Sequence, residues 1–273
     1  MIEAYFNEDC ISNAEKRFQP ESIRLMICDP PFGIQESKFD KHYNRKSDQV
    51  IPGYVEAPDD YALFTSQWMQ SAFNVLHPEG VLCVVMGHSN LRHVLNSSHE
   101  MKFHELNHCI WKYNFGVYTK RKFVTSHYHI LIYVKSKRSR YTFNTDCRFT
   151  ADEKNHKGGS LRYQDLEDVF VFNREYSPGQ QKNQNKLPDS LVRKLISYFS
   201  NPEDLICDFF LGNFTTAIVA KHMNRKSSGF EINKNAFDIG VNRIKQVSPN
   251  RDIFQEDIRK KSGDNRSDTM VSR

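Results

Sequence analysis

Leu205-Ile206-Cys207-Asp208-Phe209-Phe210-Leu211-Gly212 is an apolar run that ends in a tight turn, and Asn213-Phe214-Thr215-Thr216 opens a helix directly behind it. Glu231 follows nineteen residues after Gly212, at the end of the short run Ser228-Gly229-Phe230. Strand, turn, helix and an acid about 20 residues on is the layout of a nucleoside-binding αβ unit. Backbone N–H groups of the turn approach the ligand, and the acid takes the ribose hydroxyls. An ordinary crossover with a surface glutamate has the same outline. The turn holds one glycine, so G-x-G-x-x-G is not met. That argues against a dinucleotide, whose pyrophosphate needs close backbone approach.

Three further apolar runs flank this unit: Ile23–Cys28, Val81–Met86 and His129–Val134. Their near-continuous hydrophobicity predicts parallel strands buried on both faces. Tyr61, Phe64, Trp68, Ala72, Phe73 and Leu76 recur at helical spacing, and Pro78-Glu79-Gly80 is expected to break that helix and turn the chain into the next strand. A second helix is predicted after Pro188, with Leu191, Val192, Leu195, Ile196 and Phe199 on one side and Asn201-Pro202 as its stop. A third is predicted over roughly Thr215 to Met223. Strands alternating with helices imply a doubly wound α/β fold with a mostly parallel sheet. Residues 34–59 and 138–185 are polar and fit no element of it, and residues 247–273 read as a polar tail.

Asp29-Pro30-Pro31-Phe32-Gly33 stands at the carboxyl end of the first strand, where open α/β sheets bind ligands. An aryl amine is a poor nucleophile because its lone pair is delocalised into the ring. A hydrogen-bond acceptor aimed at its protons helps the nitrogen become tetrahedral. A carboxylate and a backbone carbonyl, held by two prolines that fix φ, supply such acceptors rigidly. An aromatic ring beside them stacks on a base swung out of a helix. A plain Pro-rich turn ending a strand is the competing reading.

The composition, with 38% hydrophobic and 26% charged residues, is that of a globular chain. No apolar run reaches the length of a membrane span, and Met1-Ile2-Glu3-Ala4-Tyr5 lacks the pattern of a secretory signal. Six cysteines stand without a C-x-x-C pair and read as reduced, mostly buried thiols. His127 and His129, on one face of a strand, read as ordinary strand histidines, so no metal is expected. The net charge is +5, and its excess is concentrated: residues 111–148 carry nine basic side chains and one acidic one, with aromatics interleaved. Such a stretch suits a polyanion with stackable bases, or else a solvated surface on an edge strand and its loops.

Taken together and in this order, the motifs resemble those of the β class of S-adenosylmethionine-dependent DNA amino-methyltransferases, in which the catalytic motif precedes the cofactor motif. Asp29-Pro30-Pro31-Phe32 is similar to their D-P-P-Y/F motif, and Asp208 to Thr216 to their D-P-F-x-G-S-G-T-T motif. Asn7-Glu8-Asp9-Cys10 resembles a G-D-C segment, and Asn183-Gln184-Asn185-Lys186-Leu187-Pro188 resembles H-P-T-Q-K-P. The resemblance covers residues 1 to about 245. It implies a class I methyltransferase (Rossmann-like) sheet. Residues 1–135 would form the catalytic part, 136–185 an inserted target-recognition region and 186–246 the cofactor part.

By the same implication Asp29, Pro30, Pro31 and Phe32 are catalytic. S-adenosyl-L-methionine would be held by Asp9, Cys10, Asp29, Lys186, Asp208, Phe210, Gly212, Asn213, Thr215, Thr216 and Glu231, with Asp9 on the cofactor adenine. Lys112, Lys120, Arg121, Lys122, Arg138 and Arg140 would contact double-stranded DNA, and the loop after Phe32 would close over the flipped base. Phe214, standing where the family has a second glycine, would narrow the methionine end of the pocket. D-P-P-F favours N6 of adenine, since S-P-P-Y is commoner for N4 of cytosine. A non-catalytic DNA-binding subunit is the reading from another class, and a nicotinamide oxidoreductase a distant third. The resemblance further implies a cytoplasmic bacterial or phage protein, with a homodimer and a cognate restriction endonuclease as partners to test.

Overall fold

The computed structural model describes residues 3–33, 58–114, 120–145, 166–173 and 186–248. The segment 34–57, the greater part of the expected base-covering loop, lies outside them, as do 146–165 and 174–185 of the expected insert, 249–273 of the tail, and Cys147.

Among the described residues eight strands form one sheet. In chain order they are β1 (Ala4–Phe6), β2 (Ile23–Cys28), β3 (Leu76–Met86), β4 (His104–Lys112), β5 (His127–Val134), β6 (Val169–Val171), β7 (Leu205–Asp208) and β8 (Lys226–Phe230). Their order across the sheet is β1-β8-β7-β2-β3-β5-β4-β6. All neighbours run parallel except β5, which is antiparallel to both β3 and β4. The parallel expectation for the His129–Val134 run was therefore wrong. An apolar run reports cover on both faces, and that cover is present here whichever way the strand points.

Among the described residues six helices sheathe the sheet: α1 (Cys10–Arg17), α2 (Tyr61–Val75), α3 (Leu91–Glu100), α4 (Asp189–Phe199), α5 (Thr215–His222) and α6 (Lys234–Gln246). On one face Met26, Cys28, Leu82, Val84, Leu131 and Tyr133 pack with Trp68, Met69 and Ala72 of α2 and with Val94 of α3. On the other, Leu25, Ile27, Val81, Cys83, Ile130, Ile132 and Ile206 pack with Leu191, Val192, Leu195 and Ile196 of α4. The period-2 alternation of each strand thus feeds two cores.

The sequence placed α2, α4 and α5 and missed α1, α3 and α6. Pro78-Glu79-Gly80 does not separate a helix from a strand. β3 begins at Leu76, and the pairing of Ile23 with Leu76 and then Leu25 with Val81 makes the intervening residues a bulge within the strand. Gly80 is needed there because a Cβ would stand 2.7 Å from the carbonyl oxygen of Ile23. Nor is the 136–185 range wholly separate from the sheet. β6 pairs with β4, Trp111 Nε1 donates to the Phe172 carbonyl at 2.9 Å, and Asn144 bonds the end of α4 through Ser197 and Ser200.

Candidate active site

β2 and β7 are neighbours in the sheet, and the chain order reverses between them: β3 lies outward from β2, and β8 and β1 outward from β7. The carboxyl ends of strands at such a reversal leave a crevice. Asp29 follows β2, Asp208 ends β7, and Glu231 follows β8. Three acids that are far apart in sequence therefore meet at the ends of three adjacent strands. Gly229 allows the close approach, since a Cβ there would come within 2.0 Å of the Asp208 carbonyl oxygen.

Around Asp29 the backbone is held from outside the motif. Tyr61 Oη donates to the Pro31 carbonyl at 2.8 Å, and Asn90 Nδ2 donates to the Phe32 carbonyl at 2.7 Å. Gly33 adopts φ +64°, and a Cβ on it would strike the Tyr61 ring at 2.4 Å. Asp29 Oδ1 is a buried carboxylate oxygen with no hydrogen-bond partner among the described residues. Burial, with the nearby charge of Asp208 adding to it, pushes the Asp29 carboxyl well above the usual carboxylate range. The Phe32 ring lies 5.3 Å from that of Tyr128, and Gly87 sits against both. Sequence reasoning missed Tyr61 and Asn90 as clamps; neither stands at a spacing that ties it to the motif.

The turn after β7 is organised by carboxylates. Asp208 Oδ1 accepts from the Phe210 N–H at 2.9 Å, and the acid is also hydrogen-bonded to Thr216 at the start of α5. Burial raises its pKa to about 7 against the pull of those bonds, with the Glu231 charge adding to the rise. Glu231 takes the Gly212 N–H on Oε2 at 2.7 Å and the Asn233 N–H on Oε1 at 2.8 Å, and burial raises it too. Gly212 has φ +47°, which glycine adopts without penalty. Phe210 packs edge-on against Trp68 at 5.4 Å.

The N-terminal segment closes this side. β1 pairs with β8, and Asn7 Nδ2 donates to the Glu231 carbonyl at 2.8 Å. Asp9 caps α1, accepting from Ile11 and Ser12 N–H at 3.3 and 3.0 Å and from the Ser12 hydroxyl at 2.8 Å. Its carboxylate is thus engaged by the helix it starts. Cys10 is buried, and burial holds its thiol protonated, with the charges of Asp9 and Asp208 reinforcing this. Thr215 is buried at the first turn of α5, the Asn213 carbonyl accepts from Arg243 at 2.8 Å, and Lys186 pairs with Asp189 at 2.6 Å.

Phe214 does not enter the crevice. At φ 61° its ring turns into a separate cluster of Leu211, Ala217 and Ile244, where it is fully buried against Tyr5 at 5.3 Å and Phe237 at 6.1 Å. The expected narrowing is corrected. A left-handed residue at that position points its side chain away from the strand ends and under α6.

The expected basic patch is also divided. Lys112, Lys120, Arg121 and Lys122 lie beside or beyond the start of β5, at the end of the sheet that carries Asp29. Arg138 and Arg140 follow the other end of β5, where the Ser139 hydroxyl donates to the Pro78 carbonyl. Eight residues of strand, roughly 27 Å at 3.4 Å each, separate the two groups. His127 and His129 share a face, and the His129 and His108 rings are hydrogen-bonded at 2.8 Å. Desolvation, then the neighbouring histidines, hold His129 down to about 4. Among the described residues no cluster of three or more His, Cys, Asp or Glu is placed to hold a metal ion, and no helix is long and apolar enough to cross a membrane.

A Rossmann-like sheet with acids at its switch point and a D-P-P-F corner beside them defines a class I S-adenosylmethionine-dependent methyltransferase. The profile of the DNA methylase family, which covers N6 and N4 amino-methyltransferases, matches residues 23–242, and the chain belongs to that family. It is 26% identical over 236 residues to the type II methyltransferase M.HpaI of Haemophilus parainfluenzae, covering 85% of this chain and 71% of the relative. Among solved structures, the M1.HpyAVI–SAM complex superposes with a TM-score of 0.63 at 19% identity, covering 89% of this chain and 99% of that one. The PvuII DNA methyltransferase, described as cytosine-N4-specific, superposes with a TM-score of 0.65 at 17% identity, covering 95% and 91%. The chain is a DNA methyltransferase, and its family uses S-adenosylmethionine.

Proposed function

We propose that this enzyme methylates N6 of adenine in double-stranded DNA, on a base turned out of the helix. The observation that carries the reading is the unpartnered acceptor Asp29 Oδ1, at a corner made rigid by Tyr61 and Asn90; in this reading the adjacent Pro30 carbonyl is the second acceptor. An exocyclic amine has two protons to give and loses its conjugation as it attacks. Two fixed acceptors favour that pyramidal nitrogen over the planar one, so they act mainly at the transition state. Phe32 supplies a face on which the base stacks.

S-adenosylmethionine, when bound, supplies a methyl group already activated on a sulfonium. The residues present fit such a group. Asp208 is buried and Asp29 and Glu231 are partly buried; burial disfavours the charged form of each, and a bound cation would relieve that cost. In this reading Glu231, already fixed by the Gly212 and Asn233 N–H groups, orients toward the ribose. Phe210, Gly212, Asn213, Thr215 and Thr216 form the wall of the turn. Asp9 acts through the helix it caps, which seats Cys10 near Asp208. The DNA face consists of Lys112, Lys120, Arg121 and Lys122; Arg138 and Arg140, at the opposite end of the sheet, are left out of it. A blocked pocket would favour a non-catalytic subunit, but Phe214 lies outside the crevice and gives that alternative no support.

Adenine rests on D-P-P-F, and the fold alone is shared with an enzyme described as cytosine-N4-specific. The test is to methylate unmodified plasmid DNA, digest it to nucleosides and identify the product by mass. N6-methyladenine is expected; N4-methylcytosine overturns the assignment. Asp29→Ala is expected to lower methyl transfer by about 10²–10³ while S-adenosylmethionine binding persists. Full activity of that variant would sink the mechanism.

A further inference from the structure

The connection between β4 and β5 carries an unusual combination. Phe123 has 100% of its surface in solvent. Lys120, Arg121 and Lys122 precede it, Val124 follows it, and all are exposed. The sequence has no acidic residue between Glu105 and Asp146. A phenylalanine held wholly in water gains nothing from burial, so it adds nothing to the stability of this fold.

Its position is what gives it meaning. The base of the connection is pinned, with the Tyr113 N–H donating to the Ser126 carbonyl at 3.0 Å and Lys112 Nζ to the Ser126 hydroxyl at 3.2 Å. Two residues on, the Tyr128 ring touches Phe32. Phe123 is five residues from Tyr128, so their Cα atoms are at most about 17 Å apart. That spans about five base-pair steps of roughly 3.4 Å. The exposed ring and the catalytic corner therefore reach the same short stretch of one duplex.

We infer that residues 120–124 form a DNA-contacting finger whose Phe123 wedges into the base stack beside the extruded base, while Lys120, Arg121 and Lys122 hold the flanking phosphates. Turning a base out leaves a gap with two unstacked neighbours. An apolar ring inserted there recovers stacking and lengthens the life of the extruded state, and cations flanking the ring place it without reading sequence. The inference rests on the proposed function, because a wedge has a purpose only where a base leaves the helix.

Phe123→Trp supplies the reporter, since the only native indoles, Trp68 and Trp111, are 0% and 2% exposed. Without DNA, acrylamide should quench the introduced indole freely; at saturating duplex plasmid fragments, quenching should fall several-fold. Phe123→Ala should lower methyl incorporation into duplex plasmid DNA about tenfold, with a smaller loss on the same plasmid heat-denatured to single strands. An indole equally quenched with and without bound duplex overturns the wedge, as does a wild-type duplex rate for Phe123→Ala. An equal loss on both substrates would assign Phe123 to strand binding instead, and also overturns it. A wild-type enzyme that methylates no DNA would sink the proposed function itself, whereas an active enzyme with an unprotected indole sinks the wedge alone.

Discussion

Gly240 and Phe214 form a lock whose strength can be measured. A Cβ built on Gly240, in the middle of α6, would stand 1.9 Å from Phe214 Cδ2 and 2.2 Å from Cε2. The ring cannot swing aside, because it is fully buried between Tyr5 and Phe237. In a free helix Gly→Ala is worth about 1 kcal/mol in favour of alanine. Here overpacking outweighs that gain, and Gly240→Ala should destabilise the protein by about 1–3 kcal/mol. Phe214→Ala alone should cost about 3–5 kcal/mol, less a part of the strain that a left-handed phenylalanine carries. In the Phe214→Ala background the sign reverses: Gly240→Ala should now stabilise by about 1 kcal/mol. Urea denaturation of the four proteins, followed by circular dichroism, closes the cycle, and the coupling should be about 2–4 kcal/mol. S-adenosylmethionine affinity of Phe214→Ala should stay within about threefold of wild type, since the ring lines no part of the crevice. Equal effects of Gly240→Ala in both backgrounds, within about 0.5 kcal/mol, would refute the placement and return Phe214 to the pocket.

Asp208, raised to about 7 by burial, makes the apoprotein pH-sensitive. Its stabilising contribution is full below the unfolded value of 3.8 and is lost as pH rises toward and through about 7; S-adenosylmethionine, a cation, should bind more tightly over the same rise. Calorimetry at pH 6 and 8 should show this, and Asp208→Asn should flatten it. Glu231→Ala should remove much of the thermal stabilisation by S-adenosylmethionine, which for wild type should be about 2.7 kcal/mol at a hundredfold excess over Kd; an unchanged shift would deny Glu231 a role in the pocket. Non-specific duplex affinity should fall steeply with salt, and replacing Lys120, Arg121 and Lys122 with alanine should flatten the slope, whereas Arg138→Ala with Arg140→Ala should not. Tyr61→Phe frees the Pro31 carbonyl, so kcat should drop by roughly three- to tenfold with cofactor affinity unchanged, as expected for a lost hydrogen bond of about 1 kcal/mol.

The parts of the fold that the sequence disclosed are those whose burial is continuous or strongly one-sided. Ile23–Cys28 and Leu205–Asp208 are covered on both faces, and α4 buries Leu191, Val192, Leu195, Ile196 and Phe199 along one side. α1 escaped notice because only Cys10 and Ala14 are buried and its start is fixed by a cap rather than by a stripe. α6 buries Ala236, Gly240 and Ile244 at four-residue spacing, but the central glycine, there to admit the Phe214 ring, conceals the pattern. In the site, Asp29 and Glu231 stand in motifs with fixed local spacing and were legible. The clamps Tyr61 and Asn90, and the distance between Lys120–Lys122 and Arg138, depend on how strands are ordered and which way β5 runs. No local pattern carries that information.

The pairing of β1 with β8 sets a schedule for the newborn chain. Ser228, the partner of Ala4, is made 224 residues after it. At 5–20 residues per second the first strand waits about 11–45 s for its neighbour. During that interval Phe6 lacks the Phe230 ring it finally packs on, and Asn7 lacks the Glu231 carbonyl. The D-P-P-F corner and its clamps come from the first 90 residues, whereas Gly212 and Glu231 come from the last third. A translation product that stops before Lys226 therefore carries the D-P-P-F corner but neither β8 nor the glutamate that ties the turn after β7. On the proposed function, such partial chains should transfer no methyl group, and activity should appear only once β8 is made and pairs with β1.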